Sequence, residues 1–261
     1  MIVELEQAQK AEPLFDGWQE TMVWSCLQGV MGKMYADSLE SPASAMVLLG
    51  DFCFLAGKPD KDFFVEKNWA WFGKGRQDFM IMVPKDEGWA ALIEKYLAGK
   101  ADKVTRYAIK KEPDIFHRGM LQAAIERLPE GYVLQMIDEA LFWRCKEIEW
   151  CGDWVAQYED YAEYQKYGLG AVIMKAGEPV SGASSYSSYA GGIEIEVDTR
   201  EDCRREGLAY ICAAKLILEC LERGWYPSWD AQNKESVALA EKLGYHFGYE
   251  YVAYEVYLRR G

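Results

Sequence analysis

Histidine is nearly absent from this 261-residue chain, and its cysteines do not follow a metal-binding spacing. His117 and His246 stand far apart, and each is expected to be structural. Cys145 and Cys151 are the closest pair among the seven cysteines, and no second pair or histidine cluster completes a zinc site. We therefore predict no metal site, and we expect reduced, buried thiols in a cytoplasmic protein.

Long apolar runs and an excess of positive charge are also missing. No apolar run reaches the roughly 18 residues that a membrane span requires. The opening segment MIVELEQAQK carries acidic residues where a signal peptide has basic and apolar ones. The net charge of -13 repels phosphate backbones and anionic lipids. We expect neither nucleic acid nor a membrane as partner, whereas a cationic partner is favoured.

Apolar and aromatic residues are abundant, at 50% and 14% of the chain, which is enough for one large domain or two smaller ones. In the first half, residues 44–57 predict a β-hairpin, DFMIMVP a buried strand and DEGWAALIEKYLAG a helix. The stretch from Gly73 to Arg76 lacks P-loop spacing and is interpreted as a surface turn. Pro129 to Gly131 interrupts the pattern. We place a boundary there, between an N-terminal α/β domain at 1–128 and a second domain at 129–261.

The second half begins with the strand GYVLQMI and continues through a helical region to Gly168. In that region four aromatic residues recur at intervals of three and four, which predicts a stripe along one helix face: Trp154, Tyr158, Tyr161 and Tyr164. Three antiparallel strands are predicted next, with turns at 177–179 and 191–192. A long helix from Gly207, a short strand YPSWD, a helix from Asn233 and a closing strand complete the chain.

The segment VDTREDCRREGLAY, which leads into the long helix, predicts an anion site. A helix start exposes about four unpaired N–H groups and a partial positive charge. Gly207 lacks a side chain where a ligand must approach the backbone, and Arg204 and Arg205 add positive charge. Together these features suit a pyrophosphate. A lone glycine at a helix start is also common in an ordinary turn.

Two motifs in this half resemble those of a known family. Arg204-x-x-Gly207-x-Ala209 is similar to the Q/R-x-x-G-x-G/A signature of the GNAT acetyltransferase superfamily, and WDAQNKESVALAEKLGY resembles its closing motif. The stretch from EIEVDT to KLGY resembles the subgroup of zwittermicin-resistance-type enzymes. The resemblance implies an α/β fold with a mixed, mostly antiparallel sheet of acyl-CoA N-acyltransferase type. The N-terminal α/β domain is then additional, and we expect it to be a degenerate GNAT-like half.

The same resemblance implies acetyl-coenzyme A (acetyl-CoA) as cosubstrate and assigns its contacts. The end of the preceding strand would pair with the pantetheine arm, and Asn233 would reach the arm from the next helix, with Ser236 nearby. Asn233 is also a good helix N-cap, and that role alone would explain it. The loop would wrap the pyrophosphate with backbone amides. The implied cofactor residues are Val197, Asp198, Thr199, Arg204, Arg205, Glu206, Gly207, Leu208, Ala209, Asn233 and Ser236.

Two candidate catalytic residues follow from the strand IEIEV. In this family an amine attacks the thioester directly in a ternary complex, so a base must accept a proton. Glu194 and Glu196 share one strand face, where mutual repulsion raises the pKa of one of them. They are not distinguishable here, and a solvated face or a cationic substrate would also explain them. The position of the tyrosine that many members use as acid is occupied here by Ala240. Tyr245, Tyr249 or water could take its place, or the thiolate could leave unassisted.

The sequence gives the least evidence about the pocket that binds the acceptor. An aromatic segment could cage a cation or form core instead: Trp150, Trp154, Tyr158 and Tyr161. The strand GASSYSSYAG could line a polar pocket or be an exposed strand. We predict N-acetyl transfer to an amine of a small molecule. The alternatives are a non-catalytic acyl-CoA-binding or regulatory protein, and an acetyltransferase for a peptide or protein amine. The oligomeric state is not predicted.

Overall fold

The computed structural model of the chain describes residues 2–65 and 79–257. These residues form two compact units. The first unit contains the described residues up to Arg106 and those from Glu250 onward, and the second unit runs from Tyr107 to Tyr249. The chain therefore leaves the first unit within one strand, at residues 106 and 107, and returns to it within the last strand, at residues 249 and 250.

The first unit is a sheet covered by short helices. Its strands are β1 (Val3–Glu4), β2 (Lys33–Ala36), β3 (Ser44–Leu49), β4 (Phe52–Gly57), β5 (Phe79–Pro84) and the first-unit parts of β6 (Ala101–Ile109) and β13 (Phe247–Tyr257). They are arranged in the order β1-β2-β3-β4-β5-β13-β6. Its helices are α1 (Thr21–Leu27), α2 (Lys61–Val65) and α3 (Glu87–Tyr96), with a 3-10 helix at Ala8–Phe15.

The elements predicted for the first half are present. β3 and β4 form the expected antiparallel hairpin, and Gly50 takes a positive φ in its turn. Helix α3 begins where Asp86 accepts hydrogen bonds from the amides of Gly88 and Trp89, which satisfies two of its free donors. Trp89 is fully buried and packs with Met82 of β5 in the core of this unit.

The second unit has a five-stranded sheet in the order β11-β10-β9-β8-β7, which is antiparallel except for the β10–β11 pair. The strands of this sheet are β7 (Tyr132–Met136), β8 (Gly170–Lys175), β9 (Glu178–Tyr189), β10 (Gly192–Thr199) and β11 (Tyr226–Ser228). The unit also contains β12 (Asp230–Ala231), which pairs with β6. Its helices are α4 (Arg118–Ile125), α5 (Glu139–Glu147), α6 (Tyr161–Tyr167), α7 (Leu208–Glu222) and α8 (Lys234–Lys242), with 3-10 helices at Glu149–Trp154 and Glu201–Cys203.

Helix α7 forms the centre of the core of this unit. Its apolar side chains pack against β8, β9 and β10, and Ile193 and Ile195 of β10 contact the same cluster. The predicted long helix after Gly207 is thereby confirmed. Because most of its sides are packed, the start of α7 is held in a fixed position at the end of β10.

The compact units divide the chain differently from the boundary expected at 128/129. Residues 107–128 belong to the second unit because Leu121 and Ala124 of α4 pack in the core around α7. The last strand completes the sheet of the first unit through its pairing with β5. The division into an N-terminal domain at 1–128 and a GNAT-like domain at 129–261 stays a prediction. The two compact units are defined by contacts between residues and do not test whether each half has a GNAT-like fold.

The aromatic stripe predicted for the second half is not on a single helix. The 3-10 helix ends with Trp154, and a new helix, α6, begins after Asp160, whose side chain accepts a hydrogen bond from the amide of Glu163. Trp154, Tyr158 and Tyr164 are nevertheless buried, and the rings of the two tyrosines meet edge to face at 5.0 Å. The spacing of these aromatic residues is therefore explained by their burial, and the prediction of one continuous helix is wrong.

Among the helices in residues 2–65 and 79–257, none combines the length and the apolar composition that a membrane span requires. No group of three or more His, Cys, Asp or Glu side chains in the same ranges is arranged to hold a metal ion. The stretch Gly73-Lys74-Gly75-Arg76, which was interpreted as a surface turn, lies outside the described residues.

Candidate active site

Strands β10 and β11 separate shortly after they begin. Their parallel pairing covers Gly192 to Glu194 on β10, and Glu194 is opposite Ser228. After Ser228 the chain turns away, and β12 pairs with β6. Trp229 lies at this turn, is buried, and donates a hydrogen bond from its indole nitrogen to Ser236 Oγ at 3.0 Å.

The separation leaves one edge of β10 open. From Ile195 to Thr199 this strand pairs with β9 on its other side, and the described part of the chain places no strand on the β11 side. Backbone N–H and C=O groups on such an edge can pair with an extended ligand. Val197, Asp198 and Thr199, predicted to contact a pantetheine arm, lie on this open stretch.

The start of α7 follows a few residues later and has no side-chain cap. Gly207 is the N-cap residue and has a φ of 80°, and Arg205 is also left-handed, with a φ of 67°. Helices α3, α5, α6 and α8 each have an Asp or Asn that accepts from their first turn. The first amides of α7, in contrast, lack both an intrahelical acceptor and a side-chain acceptor, so they are available to an anion.

A cavity of about 670 Å³ opens at this helix start. Among the residues predicted from the sequence, Thr199, Arg204, Arg205, Gly207, Leu208 and Ala209 line it. Sequence reasoning missed other lining residues, which are Arg127, Cys203, Tyr210, Glu235, Leu239 and Lys242. The i, i+4, i+7 spacing of Glu235, Leu239 and Lys242 on α8 is a signal that could have found half of them.

The arginine side chains of the loop before α7 differ in their partners. Arg204 donates from Nε to the carbonyl oxygen of Thr199 at 3.2 Å, which anchors its side chain at the end of β10. Arg200 is bound to Asp202 through two hydrogen bonds of 2.6 and 3.0 Å. Among the described residues, Arg204 and Arg205 form no ion pair with a carboxylate. The charge of Arg204 also acts on the carboxyl of Asp198, whose pKa it lowers, but neither arginine is neutralised by a direct ion pair.

Five of the predicted cofactor residues do not line this cavity: Val197 and Asp198, which lie on the open strand edge, and Glu206, Asn233 and Ser236, which have contacts of their own. Glu206 accepts a hydrogen bond of 2.6 Å from the Tyr132 hydroxyl. Asn233 Oδ1 accepts from the amide of Ser236 at 2.9 Å, so the N-cap role is present. Ser236 Oγ accepts from Trp229, as described above. These contacts are structural, and any contact with a cofactor stays a prediction.

The structure separates the two candidate catalytic carboxylates. Glu194 is 6% exposed and lies at the point where β10 and β11 separate, opposite Ser187 on one side and Ser228 on the other. Burial raises the pKa of Tyr245 well above its usual value, and the charge of Glu194 adds to this effect. Glu196 is half-buried and forms a hydrogen bond with the carboxyl of Asp198.

Asp198 is held in an environment that disfavours its charge. Burial raises its pKa, and the nearby charge of Asp153 raises it further, while the hydrogen bond with Glu196 acts in the opposite direction. Asp202, four residues away, has a lowered pKa because Arg200 donates to it. The ionised carboxylate of Asp198, on the open strand edge, is therefore unfavourable for the stability of the folded state.

We expect Asp198→Asn to increase the free energy of unfolding at neutral pH. An aspartate whose pKa is raised in the folded state destabilises that state at high pH, because the unfolded chain loses its proton first. The gain of the variant is absent below the unfolded-state pKa of about 3.9, grows as pH rises towards the folded-state pKa, and is constant above it. Urea unfolding at acidic and neutral pH measures this, and Asp202→Asn should not stabilise at either pH.

The tyrosines proposed as general acids are not placed alike. Tyr245 is 2% exposed, and its hydroxyl donates to the carbonyl oxygen of Pro227, so its proton is already in a hydrogen bond. Tyr249 is 49% exposed, and Ala240 is fully buried. Both histidines make structural contacts, since His117 caps α4 through Nδ1 and His246 pairs with Glu112 at 2.7 Å.

The aromatic and serine-rich segments form core. Trp154 and Tyr158 are 0% and 1% exposed, so a cation cage that includes them is wrong. The serine-rich strand β9 is buried and not an exposed strand. Several of its hydroxyls have hydrogen-bond partners inside the unit, whereas Ser187 Oγ has none in the described part of the chain. Tyr158 donates to Ser185 at 2.8 Å, and Tyr164 shares a hydrogen bond of 2.9 Å with Ser184. Burial of these hydroxyls follows from this mutual satisfaction.

The comparison with known families agrees with this geometry. The model of the GNAT acetyltransferase family matches residues 12–254, which is nearly the whole chain. The chain belongs to the GNAT acetyltransferase family. It is therefore an acyltransferase, and the resemblance found in the sequence is confirmed, while the narrower likeness to zwittermicin-resistance-type enzymes stays a prediction.

Similar proteins match nearly the full length of this GNAT chain. A GCN5-related N-acetyltransferase-like protein from Streptococcus suis 89/1591 shares 46% identity, with a TM-score of 0.88 over 96% of this chain and 98% of its own. The N-acetyltransferase YdfB of Bacillus subtilis (strain 168), itself uncharacterized, is 29% identical over 92% of this chain and 91% of its own. A tandem GNAT protein from the clavulanic acid biosynthesis pathway matches the fold over 98% of both chains, with 11% identity and a TM-score of 0.54. The predicted fold class is confirmed.

Proposed function

We propose that this enzyme transfers an acetyl group from acetyl-CoA to an amine of a small molecule by direct attack in a ternary complex. The observation that carries the proposal is the sequence of features along residues 195–209: an open strand edge, then a basic loop, then an uncapped helix start at a cavity. The edge binds the pantetheine amides, and the helix start binds the pyrophosphate.

The length of the open edge sets the position of the thioester. From Thr199 at the cavity to Glu194 the strand rises by roughly 16 Å. The extended pantetheine arm is of comparable length, so the thioester lies near the point where β10 and β11 separate. Glu194 is the acidic residue at that point, and Glu196 lies two residues closer to the cavity.

The chemistry then needs a base and a donor for the oxyanion. Glu194 accepts a proton from the amine, the amine nitrogen bonds to the thioester carbon, and the carbon–sulfur bond breaks to release the coenzyme A thiolate. Backbone N–H groups of the open β10 edge stabilise the oxyanion. The thiolate takes its proton from water, because Tyr245 already donates to Pro227 and Ala240 has no acidic group.

The location and the acceptor belong to the same proposal. All seven cysteines are free and buried, which supports a reducing compartment, and we place the enzyme in the cytoplasm. Trp150 and Tyr161 are the two partly exposed members of the aromatic segment, so they are the ones that can still contact an acceptor.

Gly207→Ala should weaken acetyl-CoA binding by about tenfold or more, because a side chain then projects from a left-handed residue beside the pyrophosphate. Its matched control is Gly224→Ala at the other end of α7. Both glycines have a positive φ, 80° and 68°, and in both cases an added Cβ meets no atom within 4 Å. Each substitution costs about 1–2 kcal/mol of backbone strain. Calorimetric titration with acetyl-CoA should therefore separate them.

Equal binding by the two variants would contradict the pyrophosphate assignment, since backbone strain is then the only effect of the change. If the wild type does not bind acetyl-CoA at saturating concentration, the proposal that acetyl-CoA is the acetyl donor is wrong. Thermal unfolding of both variants checks that their stabilities fall by similar amounts.

A further inference from the structure

The cavity at the start of α7 carries more positive charge than the loop supplies. Arg127 follows α4, and Lys242 lies in the last turn of α8, and both line the cavity. Both side chains are exposed, and within residues 2–65 and 79–257 neither forms an ion pair. They stand apart in sequence from Arg204 and Arg205, which already face the proposed pyrophosphate.

Three side chains of helix α8 form one wall of the cavity, and their charge changes from negative to positive along the helix. Glu235, Leu239 and Lys242 lie on one face because they are spaced four and three residues apart. Seven residues of helix span about 10 Å, so Glu235 and Lys242 mark opposite ends of this wall. The carboxylate of Glu235 repels a phosphate, whereas Lys242 attracts one. A second anionic group of the ligand is therefore directed to the Lys242 end.

Between these ends the lining is suited to a base and its sugar. Leu239 gives an apolar surface in the middle of the α8 wall, and Tyr210 gives an aromatic side chain from the first turn of α7. Coenzyme A carries an adenosine next to its pyrophosphate and a separate phosphate on the 3′ oxygen of the ribose. An adenine against Leu239 and Tyr210 leaves this phosphate within the reach of long cationic side chains.

We propose that Arg127 and Lys242 bind the 3′-phosphate of coenzyme A and make the enzyme select donors that carry it. The inference rests on the proposed function, namely acetyl-CoA as donor. It adds a specificity determinant that comes partly from Arg127, which follows α4 and lies outside the segment that resembled the family motifs. The contact is a charge pair in a partly exposed site, so it weakens as salt concentration rises.

The test is calorimetric titration of coenzyme A and 3′-dephospho-coenzyme A into the wild type, Arg127→Ala, Lys242→Ala and the double variant, at low ionic strength. The wild type should bind coenzyme A about tenfold or more tightly than the dephospho form. Each single variant should lose part of this preference, and the double variant should bind both ligands equally. Affinity for the dephospho form should be the same in all four proteins.

Lys234→Ala is the matched control, because Lys234 is an exposed lysine of the same helix that does not line the cavity. It should keep the full preference. Since Arg127 and Lys242 are exposed, their substitution should change stability little, and thermal unfolding verifies this. Arg127→Gln and Lys242→Gln repeat the test with much of the aliphatic stem retained.

The outcomes separate this inference from the proposed function. If the wild type binds neither ligand, the proposed donor is wrong, and the inference falls with it. If the wild type binds both ligands equally, the 3′-phosphate is not recognised and the inference is overturned, while the donor stands. If the variants lose affinity for both ligands to the same extent, the two side chains act on the shared part of the molecule, which also overturns it.

Discussion

Glu194→Gln is expected to lower kcat by about a hundredfold to a thousandfold while the affinity for acetyl-CoA stays unchanged. A positioned general base contributes about a hundredfold to ten-thousandfold to a proton transfer. Glutamine retains the size of the buried side chain but cannot accept the proton. Glu194 lies on the face of β10 beside Ser187 and Ser228, where the two strands separate, and it is 6% exposed. The rate is measured by release of coenzyme A with the amine that the wild type uses fastest.

The pH dependence supplies a second readout for the same change. At higher pH a larger fraction of the amine is already unprotonated, so the deficit of Glu194→Gln should shrink as pH rises. A variant that is merely misfolded would keep its deficit at every pH. Partial recovery by Glu194→Asp would agree with a carboxylate acting as base.

Glu196→Gln tests which of the two glutamates is the base, since the sequence does not distinguish Glu194 from Glu196. Its carboxyl is hydrogen-bonded to Asp198 and lies nearer the cavity, so we expect a loss of less than about tenfold. Glu222→Gln, on the exposed end of α7, should leave the rate unchanged. A large loss in Glu196→Gln with a normal Glu194→Gln would transfer the role of base to Glu196, and two normal rates would remove the base from this strand.

The loop and helix start could be predicted from sequence because they are local. Residues 204–209 are contiguous, and the left-handed glycine, the basic residues and the apolar helix stand next to each other in the chain. Arg127 could not be predicted in the same way. It reaches the cavity only because α4 packs on α7, a contact between segments that are about eighty residues apart. Lys242 was within reach of the sequence, since it shares a helix face with Glu235.

Sequence reasoning went wrong where polar residues, which are usually exposed, are buried in the structure. A strand as rich in serine as β9 predicts an exposed or pocket-lining surface, yet Ser184 and Ser185 are fully buried. Their hydroxyls bond to tyrosines that stand 20 and 27 residues earlier in the chain. Only the tertiary fold brings these partners together. Pattern analysis sees the polarity of the serines but not the hydroxyls that satisfy it.

Trp154→Ala is expected to lower the free energy of unfolding by about 3–5 kcal/mol, as is typical when a fully buried aromatic side chain is removed. The indole packs tightly over Gly182 of β9, since a Cβ placed on that glycine would lie 2.7 Å from the ring. It also meets Trp150 edge to face at 5.2 Å. Urea unfolding measures the loss, and Trp143→Ala, at a residue that is 44% exposed, should cost less than about 1 kcal/mol.

Trp154→Phe tests the packing argument from the other side. Phenylalanine keeps an aromatic ring over Gly182 and removes an indole N–H that has no hydrogen-bond acceptor in the described part of the chain. The lost contacts are therefore partly offset by the loss of an unsatisfied buried donor, and we expect a cost of about 1 kcal/mol. If Trp154→Ala instead kept its stability and raised the KM for the amine, the side chain would belong to the acceptor site, because a core tryptophan cannot be removed without leaving a cavity.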